Sequence, residues 1–213
     1  MFNLLYKELR LAAHPTLYFF IFLGFLVIVP SYPFGLIFFF GSLAPFITFL
    51  FGRETCDNYY TALLPIKKTD AVKGKCLLVV FVQILQLIIS VPIAILRAYL
   101  PIGENVVGIE ANIAYYGFGL ITFAIFNFIF FTQFYKTAYK VGKSFIIAII
   151  PVIVCIFIME LLSHVPTIYW LDSIDPEYLI RQIPILIIGI IVYTVGIICT
   201  YFLAEKRFAK VDL

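Results

Sequence analysis

Four polar side chains recur within the apolar stretch of residues 76–98. Their spacing is i, i+3, i+7 and i+14, in the order Gln83, Gln86, Ser90 and Arg97. This spacing aligns side chains along one face of a helix. A later apolar stretch adds Asn127, Thr132 and Gln133. Side chains of these types can line a passage for a solute, or they can hydrogen-bond to neighbouring helices. From the sequence, both interpretations stay open.

Residue sets for catalysis are missing from the apolar stretches. None of these stretches carries Asp, Glu, Lys or Arg near its middle, and the only such residues within a stretch, Arg97 and Glu160, lie near its outer end. Hydrolysis within a membrane needs paired carboxylates, a Ser with a base, or a metal site of His and Glu. Ion-driven carriers also depend on buried ionisable groups. The sequence therefore predicts neither an enzyme nor a proton- or sodium-driven carrier, and no metal or cofactor site of its own.

One tripeptide, Gly142-Lys143-Ser144, imitates the end of a phosphate-binding loop. That loop requires the pattern G-x-x-x-x-G-K-[ST] between a strand and a helix. Here the position of the leading glycine is occupied by Thr137, and the segment joins two apolar stretches. The lysines of this segment are therefore interpreted as topological charges, with Ser144 near the start of a helix.

The composition indicates that these stretches lie in a membrane. Of the 213 residues, 63% are hydrophobic and 13% are charged, and the mean hydropathy is +1.08. Soluble domains average about 45–50% apolar and about 25% charged residues. The chain also contains 24 Phe and 14 Tyr, which is too many for one soluble core of this length. We therefore expect an all-α integral membrane protein with a single transmembrane domain over residues 1–213.

Six apolar runs approach the roughly 20 residues that a helix needs to cross a bilayer. Their approximate limits are 12–30, 34–51, 76–98, 113–134, 144–163 and 183–203. Only Ser31 and Tyr32 with the flanking Pro30 and Pro33 separate the first two runs, and these prolines favour a tight turn. The first two spans are therefore expected to form a hairpin.

Basic residues gather in the loops on one side of the six spans. That side carries 13 of the 15 Lys and Arg residues, whereas the other side has only Arg97 and Arg181. Because short loops rich in Lys and Arg are retained in the cytoplasm, both termini are predicted to be cytoplasmic. The sequence thus predicts a multi-pass protein of the plasma membrane.

Two segments outside the spans are expected to be amphipathic. Residues 1–13 distribute polar and apolar side chains over two helical faces, which favours an interfacial helix; the alternative is a helical extension of the first span. Asp175, Pro176 and Glu177 provide a cap, a first-position proline and a first-turn acid for a helix start. They predict a short amphipathic segment on the outer side, over residues 164–182.

The longest polar break covers residues 52–75, between the second and third spans. Glu54 and Asp57 are expected early in a short helix, where the helix dipole favours acids, and Pro65 is expected to end it. The side chains that this helix would carry are Asn58, Tyr59, Tyr60, Leu63 and Leu64. Tyr beside Leu is typical of a docking surface, although Tyr is also common at lipid headgroups.

This break resembles the coupling region of ABC type-2 exporter permeases. The residues that carry the resemblance are Glu54, the pair Tyr59-Tyr60, and Val72 to Lys75 at the start of the third span. The resemblance covers the whole chain, as an amphipathic elbow helix, six spans, cytoplasmic termini and a coupling helix between spans two and three. Among small members, ALLPIKKTDAVKGK (residues 62–75) resembles most the permeases of Gram-positive peptide-toxin exporters of the phenol-soluble modulin type.

The resemblance implies a division of labour between subunits. A separate cytoplasmic ATPase in two copies would bind ATP and Mg²⁺, while this chain would form half of the translocation pathway. A second permease chain would complete the pathway as a homodimer or heterodimer in the lipid bilayer, with no nucleic acid involved. The residues implied for docking to the ATPase are Glu54, Tyr59, Tyr60, Leu63, Leu64, Lys67 and Lys68. Lys67 and Lys68 serve equally well as topological charges.

These observations together predict a non-enzymatic permease subunit that exports amphipathic peptides or other hydrophobic cargo. The candidate residues of its translocation path are Gln83, Gln86, Ser90, Arg97, Asn127 and Gln133. Two other functions are compatible with the sequence. One is a membrane immunity or sensor subunit that docks in a similar complex without transporting, and the other is an autonomous channel. Efflux of substrate distinguishes the first from a permease, and ATP dependence distinguishes the second.

Overall fold

A computed structural model describes residues 2–63, 66–101, 103 and 105–211. The structure is all-helical, with 81% helix and no strand in the described part of the chain. The α-helices, numbered α1 to α8 in chain order, are Phe2–Lys7, Thr16–Phe22, Gly35–Glu54, Asp57–Leu63, Lys68–Tyr99, Ile113–Phe134, Val141–Ser163 and Pro176–Phe208. Other helical types occur as a π-helix at Glu8–Ala12 and as 3₁₀ helices at Leu23–Ile28 and Pro166–Leu171.

Among the described residues, five helices are long and apolar enough to cross a membrane, namely α3, α5, α6, α7 and α8. They correspond to the second to sixth predicted spans, so the prediction of a multi-pass, all-α chain is confirmed. The helix α6 has the predicted limits, whereas α5 begins at Lys68 and α8 at Pro176, well before the apolar runs begin. Helices do not end where their side chains become polar, because their backbone hydrogen bonds form in water as well as in lipid.

The longer helices change two predicted segments. Of the polar break 52–75, only α4 is a separate element: Glu54 is the last residue of α3, and Val72 to Lys75 belong to α5. The segment 164–182 does not contain a helix of its own that starts at Pro176. That proline lies in the first turn of α8, with Asp175 at the N-cap, and α8 continues for 33 residues, about 50 Å at 1.5 Å per residue.

The predicted interfacial helix of residues 1–13 and the first predicted span, residues 12–30, correspond to a bent pair of helical segments. Leu4–Ala12 and Thr16–Ile28 meet at an angle of 106°. Ala13 is extended there (ψ 126°), and the following His14 precedes Pro15, which disfavours helix in the residue before it. The segment Thr16–Ile28 ends as a 3₁₀ helix, whose larger rise per residue lengthens it to about 22 Å. The first two spans form a hairpin. The first of them, however, is shorter than the roughly 30 Å hydrocarbon layer.

The helices α6 and α8 approach each other most closely at two glycines. A Cβ added to Gly189 would lie 2.5 Å from the carbonyl oxygen of Gly117, and one added to Gly117 would lie 2.7 Å from the carbonyl oxygen of Ile185. Small residues permit such approach, and in lipid this packing replaces the hydrophobic driving force that is absent between helices.

Aromatic side chains join α3 to α6 nearer the end that carries most of the basic residues. The ring of Phe49 meets those of Phe130, Phe131 and Phe134 edge-on, at centroid distances of 5.2, 5.4 and 4.9 Å. Edge-to-face pairs of this kind are favoured over face-to-face stacking. They give α3 a fixed position from which the chain turns into α4.

The two chain ends meet at this same end of the bundle, which we call the basic end. The Nζ of Lys68, at the start of α5, donates to the carbonyl oxygen of Val211 at 2.7 Å. Phe208 packs in one hydrophobic cluster with Phe49, Val72 and Ala138. The N-terminal segment joins this end through Glu8, which lies 2.8 Å from the Nζ of Lys75.

The opposite end is closed by carboxylates that bind backbone N–H groups. The Glu160 carboxylate in α7 accepts from the N–H of Gly35 at 2.7 Å and of Ile109 at 2.9 Å. Gly35 begins α3, and an acid near a helix N-terminus is favoured by the helix dipole. One side chain of α7 therefore fixes the start of α3 and the loop that precedes α6.

The contact between α6 and α8 leads to a prediction. We expect Gly189→Ala to lower the unfolding temperature of the detergent-solubilised chain, because the added methyl group would have to push apart two backbones, at a cost of about 1–3 kcal/mol. The matched control is Gly142→Ala in α7, where an added Cβ meets no atom within 4 Å. Thermal unfolding of both variants checks the prediction, and equal effects would contradict the close crossing.

Candidate functional site

The short helix α4 lies at the basic end, between α3 and α5. After Glu54 the chain turns at Thr55 and Cys56, and Cys56 has a positive φ of 54°. Non-glycine residues rarely adopt this conformation. The corner lets α4 begin at Asp57, directly after α3 has ended.

One face of α4 is exposed to solvent. Tyr59 is 60% exposed, Tyr60 is 55% exposed and Leu63 is 69% exposed. The side chain of Glu54, at the preceding helix end, is 63% exposed. These residues belong to the predicted docking set, and the structure brings them together on one accessible surface. Leu64, the fifth of them, lies outside the described residues.

The two lysines of the predicted docking set follow α4. Lys67 is exposed and is the N-cap residue of α5. Lys68 is also exposed, but its Nζ is bonded to the carbonyl of Val211 and lies 5.8 Å from the centre of the Phe208 ring. Lys68 thus contacts the C-terminal segment, whereas the side chain of Lys67 forms no hydrogen bond with the described residues.

The other face of α4 is held by a buried ion cluster. The Nζ of Lys75 lies 2.5 Å from Asp57 Oδ2 and 2.8 Å from Glu8 Oε2. The side chains of Lys75, Asp57 and Glu8 are only 7%, 12% and 2% exposed. One ammonium of α5 therefore binds the short helix and the N-terminal segment at the same time.

A second lysine completes this ion cluster. The Nζ of Lys7 lies 3.0 Å from Glu8 Oε1 and 3.7 Å from Asp57 Oδ1, and it donates to Thr61 Oγ1 at 2.9 Å. Asp57 and Thr61 are four residues apart on α4, so they share one helical face. Two lysines and two carboxylates thus balance in charge, and the face of α4 opposite the exposed tyrosines is fixed to the bundle.

The surroundings of the ion cluster are shaped to hold it. The Lys75 ammonium lies 5.7 Å from the centre of the Phe49 ring, within the range of a cation–π contact. Gly74 leaves room for Glu8, since an added Cβ there would lie 3.3 Å from Glu8 Cγ. Buried charges are stable only when they are paired in good geometry, and removal of one partner leaves the others uncompensated.

The pKa of Asp57 lies below its ordinary value. Burial by itself would raise the pKa, but the charge of Lys75, its hydrogen bond, the charge of Lys7 and a hydrogen bond with Thr61 together outweigh burial. The carboxylate therefore stays ionised throughout the neutral range, and the attachment of α4 is insensitive to physiological changes of pH.

The polar residues predicted along α5 lie inside the chain. Gln83 and Asn127 exchange two amide hydrogen bonds, of 3.0 and 2.7 Å, and the hydroxyl of Tyr193 donates to Gln83 Oε1 at 3.0 Å. These three residues join α5, α6 and α8. In this structure they serve the second of the two roles that the sequence left open, which is hydrogen bonding between helices.

The next two polar residues of α5 bind the first hairpin and α6. The Nε2 of Gln86 donates to the carbonyl oxygens of Phe20 and Ile37, at 3.0 and 3.2 Å. Ser90 donates to Leu87 of its own helix and lies 3.2 Å from the hydroxyl of Tyr116. Both side chains are buried, and through them α5 contacts α2, α3 and α6 by polar groups.

The remaining candidate path residues lie at opposite ends of the bundle. Arg97 is 6% exposed and pairs with Glu110 at 3.3 Å. Its guanidinium carbon lies 5.2 Å from the centre of the Phe34 ring. Its Nη2 also donates to the carbonyl oxygen of Gly103 at 2.9 Å. Gln133, by contrast, borders a cavity at the basic end. These two residues and the Gln83 pair do not form one continuous surface.

Sequence reasoning missed the ion cluster. Glu8, Asp57 and Lys75 lie in segments on the predicted basic side of the spans, but that placement does not indicate how they pair. The sequence did offer one signal, since Glu8 and Asp57 are acids among many basic residues beside the apolar runs. Their partners could not be read from it, because Glu8 and Lys75 are distant in the chain.

The ion cluster predicts a specific loss of stability. Lys75→Met should lower the free energy of unfolding by roughly 3 kcal/mol, since Glu8 and Asp57 would share only Lys7 in a buried site. Lys73→Met is the matched control on the same helix, because Lys73 forms no ion pair among the described residues. Thermal unfolding in detergent measures both variants, and equal losses would show that the cluster is not a stabilising contact.

A pH dependence follows from the lowered pKa of Asp57. Because the folded pKa lies below the unfolded value of about 3.9, ionised Asp57 stabilises the fold above that pH, and this contribution is lost as the pH falls through the folded pKa. The difference in unfolding temperature between the native chain and Asp57→Asn should be constant from about pH 6 to 8 and should shrink only in acid. A change of that difference near neutral pH would contradict this assignment.

Comparison with known proteins identifies the family. The family model described as ABC-2 family transporter protein matches residues 3–208, which include the N-terminal segment, α4, the ion cluster and all five long helices. No curated protein and no solved structure shows significant similarity to the chain. Since the match extends over nearly the whole sequence, the chain belongs to the ABC-2 family of transporter proteins.

Proposed function

We propose that the chain is the permease subunit of an ATP-driven exporter and that α4 couples it to a separate cytoplasmic ATPase. Proteins of this family are membrane subunits of transporters, are generally not catalytic themselves and generally work with an ATPase partner. ATP and Mg²⁺ would accordingly be bound by two copies of that partner. The observation that carries the coupling role is the arrangement of α4, exposed on one face and held by buried ion pairs on the other.

The exposed face of α4 has the chemistry of a docking surface. Tyr59, Tyr60 and Leu63 present large side chains at the basic end, and Tyr is among the residues that contribute most to binding in protein interfaces. Glu54 adds a charge beside them. We assign the basic end to the cytoplasm because most Lys and Arg residues gather there.

The ion cluster supports a mechanical role for α4. A force applied to the tyrosine face would pass through Asp57 to Lys75 in α5, and through Lys75 to Glu8 in the N-terminal segment. Because both contacts are short and buried, α4 would move together with the start of α5 rather than slide over it. Movement of the ATPase would thereby change the position of α5 and of the first bent segment.

The bilayer-facing helices support pairing with a second permease chain. On α8, Ile187, Ile190 and Ile191 are each about half exposed, and α7 exposes a comparable apolar face. One chain buries neither helix fully. We propose that a second copy or a sister permease covers part of these surfaces and that the remainder faces lipid.

The cargo is proposed to be an amphipathic peptide or another hydrophobic molecule. An apolar groove of about 260 Å³ runs between α5 and α8 in the basic half of the bundle. Leu77, Val80, Ile198 and Phe202 line its wall, and Lys73 lies at its edge. Such a groove would accept a hydrophobic side chain that enters from the bilayer. The similarity of residues 62–75 to the peptide-toxin exporters favours a peptide.

The polar residues of α5 would contribute to a passage only after the helices separate. Gln83, Gln86 and Asn127 are hydrogen-bonded between helices in this structure. We therefore propose that they first hold the helices together. If α5 moves with α4, the same amide groups become free to face a passage in the alternate conformation.

The docking surface gives a direct prediction. Tyr60→Ala and Glu54→Ala should each reduce the amount of ATP-hydrolysing subunit that purifies with the tagged chain, by about tenfold for Tyr60→Ala if it is a principal contact. Membrane insertion should be unchanged, because both side chains are exposed. Tyr99→Ala is the control, since Tyr99 is 83% exposed but lies at the far end of α5.

Three outcomes can be distinguished in that experiment. Retention of the ATPase by both α4 variants would remove α4 as the docking helix. Loss of the ATPase in all variants, Tyr99→Ala included, would indicate general instability of the complex. Association without any efflux of cargo from cells would favour a non-transporting subunit.

A further inference from the structure

Three lysines surround a cavity at the turn between α6 and α7. The cavity has a volume of about 150 Å³ and is bordered by Lys136, Lys140 and Lys143, together with Gln133 and Thr137. All three lysines are exposed. Neither the proposed docking helix nor the ion cluster includes any of these residues.

The positive charge of this turn is not balanced by an ion pair within the described part of the chain. Residues 111–159 contain no Asp or Glu, and none of the three lysines forms an ion pair with the described residues. The start of α7 adds to the positive potential, because its N-cap residue Lys140 makes no side-chain cap bond and the helix dipole is positive at this end. Like charges that border one cavity repel one another, and an anion between them would reduce that repulsion.

An exposed apolar stripe begins directly beside the cavity. Ile147 borders the cavity, and Ile147, Ile150 and Val154 are 37%, 58% and 50% exposed. Together with Lys143 they follow the spacing i, i+4, i+7 and i+11, so they lie on one face of α7. At 1.5 Å per residue the stripe from Lys143 to Val154 is about 16 Å long, roughly half the thickness of the hydrocarbon layer.

We propose that this turn binds an anionic phospholipid of the leaflet at the basic end. The lipid phosphate would occupy the cavity between Lys136, Lys140 and Lys143, where the amide of Gln133 and the hydroxyl of Thr137 border the same space. The acyl chains would follow the stripe of Ile147, Ile150 and Val154 over one leaflet. Basic pockets between membrane helices on the cytoplasmic side are suited to anionic headgroups.

The adjacent apolar stripe distinguishes a lipid from the other anions that could enter the cavity. A free phosphate ion would use the lysines but would gain nothing from the exposed isoleucines. An acidic protein surface would meet the lysines from the solvent and would leave the stripe uncovered. Only a phospholipid combines a negative headgroup with chains of the length that the stripe provides. The proposal does not depend on an ATPase partner.

Native mass spectrometry of the full chain in a neutral detergent tests this binding. The probe is a phosphatidylglycerol, compared with a phosphatidylcholine of the same acyl chains. We expect tighter binding of phosphatidylglycerol, and we expect Lys140→Gln/Lys143→Gln to weaken it roughly ten- to thirtyfold. Lys140→Arg/Lys143→Arg should retain binding, because the charge is kept.

The matched control is Lys206→Gln/Lys210→Gln, which removes the same charge from two exposed lysines at the end of α8. It should change phosphatidylglycerol binding by less than about twofold, since binding depends on charges close to the headgroup. Equal weakening by the two Gln pairs would overturn the proposal in favour of diffuse charge at the basic end. Equal binding of the two lipids would overturn it as well.

Two further arms separate the alternative occupants. If inorganic phosphate displaces phosphatidylglycerol at equal concentration, the site binds a free phosphate and the apolar stripe has no part in it. If Lys140→Gln/Lys143→Gln leaves lipid binding intact but lowers the yield of a co-purified ATPase, the turn binds protein. Either result would contradict the lipid assignment. The assignment is supported if inorganic phosphate does not displace phosphatidylglycerol and Lys140→Gln/Lys143→Gln weakens lipid binding without lowering the yield of a co-purified ATPase.

Discussion

The contact of Lys75 with Asp57 and Glu8 determines how the rest of the basic end is arranged. Charges at the edge of a bilayer are costly to bury, and they remain there only when they are paired. Here one lysine of α5 meets an acid of α4 and an acid of the N-terminal segment, at 2.5 and 2.8 Å. Three segments that are distant in sequence are thus held at one point, and the tyrosine face of α4 is directed outward as a consequence.

The need to pair buried polar groups also applies to the rest of the bundle. Within the membrane there is no water to hydrogen-bond polar side chains, so Gln83 bonds to Asn127 and Tyr193, and Gln86 bonds to backbone carbonyls of the first hairpin. At the opposite end, Glu160 satisfies backbone N–H groups that precede or begin two helices. Since lipid gives no hydrophobic drive for helices to associate, these polar contacts and the glycine crossing of α6 and α8 specify which helices are neighbours.

The sequence predicted the elements whose physics is local. The apolar runs gave the spans, and the pair Asp175-Pro176 marked the true start of α8 because capping and a first-turn proline act within one helical turn. The helix α5 begins at Lys68, eight residues before its apolar run begins at residue 76, because a helix can continue into water after its apolar face ends. The structure bends at Ala13, close to the boundary that the sequence predicted between the interfacial helix of residues 1–13 and the first span, and Pro15 permits such a break without requiring one.

Pairings between distant residues were beyond one sequence. The helical spacing of Gln83 and Gln86 showed that they share a face, but only the packed structure brings that face against Asn127 in α6. Likewise, the exposed Tyr59 and Tyr60 were recognised from their type, whereas the anchoring of the opposite face by Lys75 required the corner at Cys56 to be known. Side-chain type thus predicted the exposed face of α4, and tertiary structure supplied the ion cluster that holds the opposite face.

We propose that a separate ATPase drives this chain, and purification of the tagged chain from its native membranes in mild detergent is the decisive experiment. We expect a soluble, ATP-hydrolysing subunit to co-elute with the chain in a fixed stoichiometry. If the chain elutes folded and alone, with no ATP hydrolysis in its fractions, it is not driven by an ATPase, and the exposed face of α4 must serve another partner or the lipid surface.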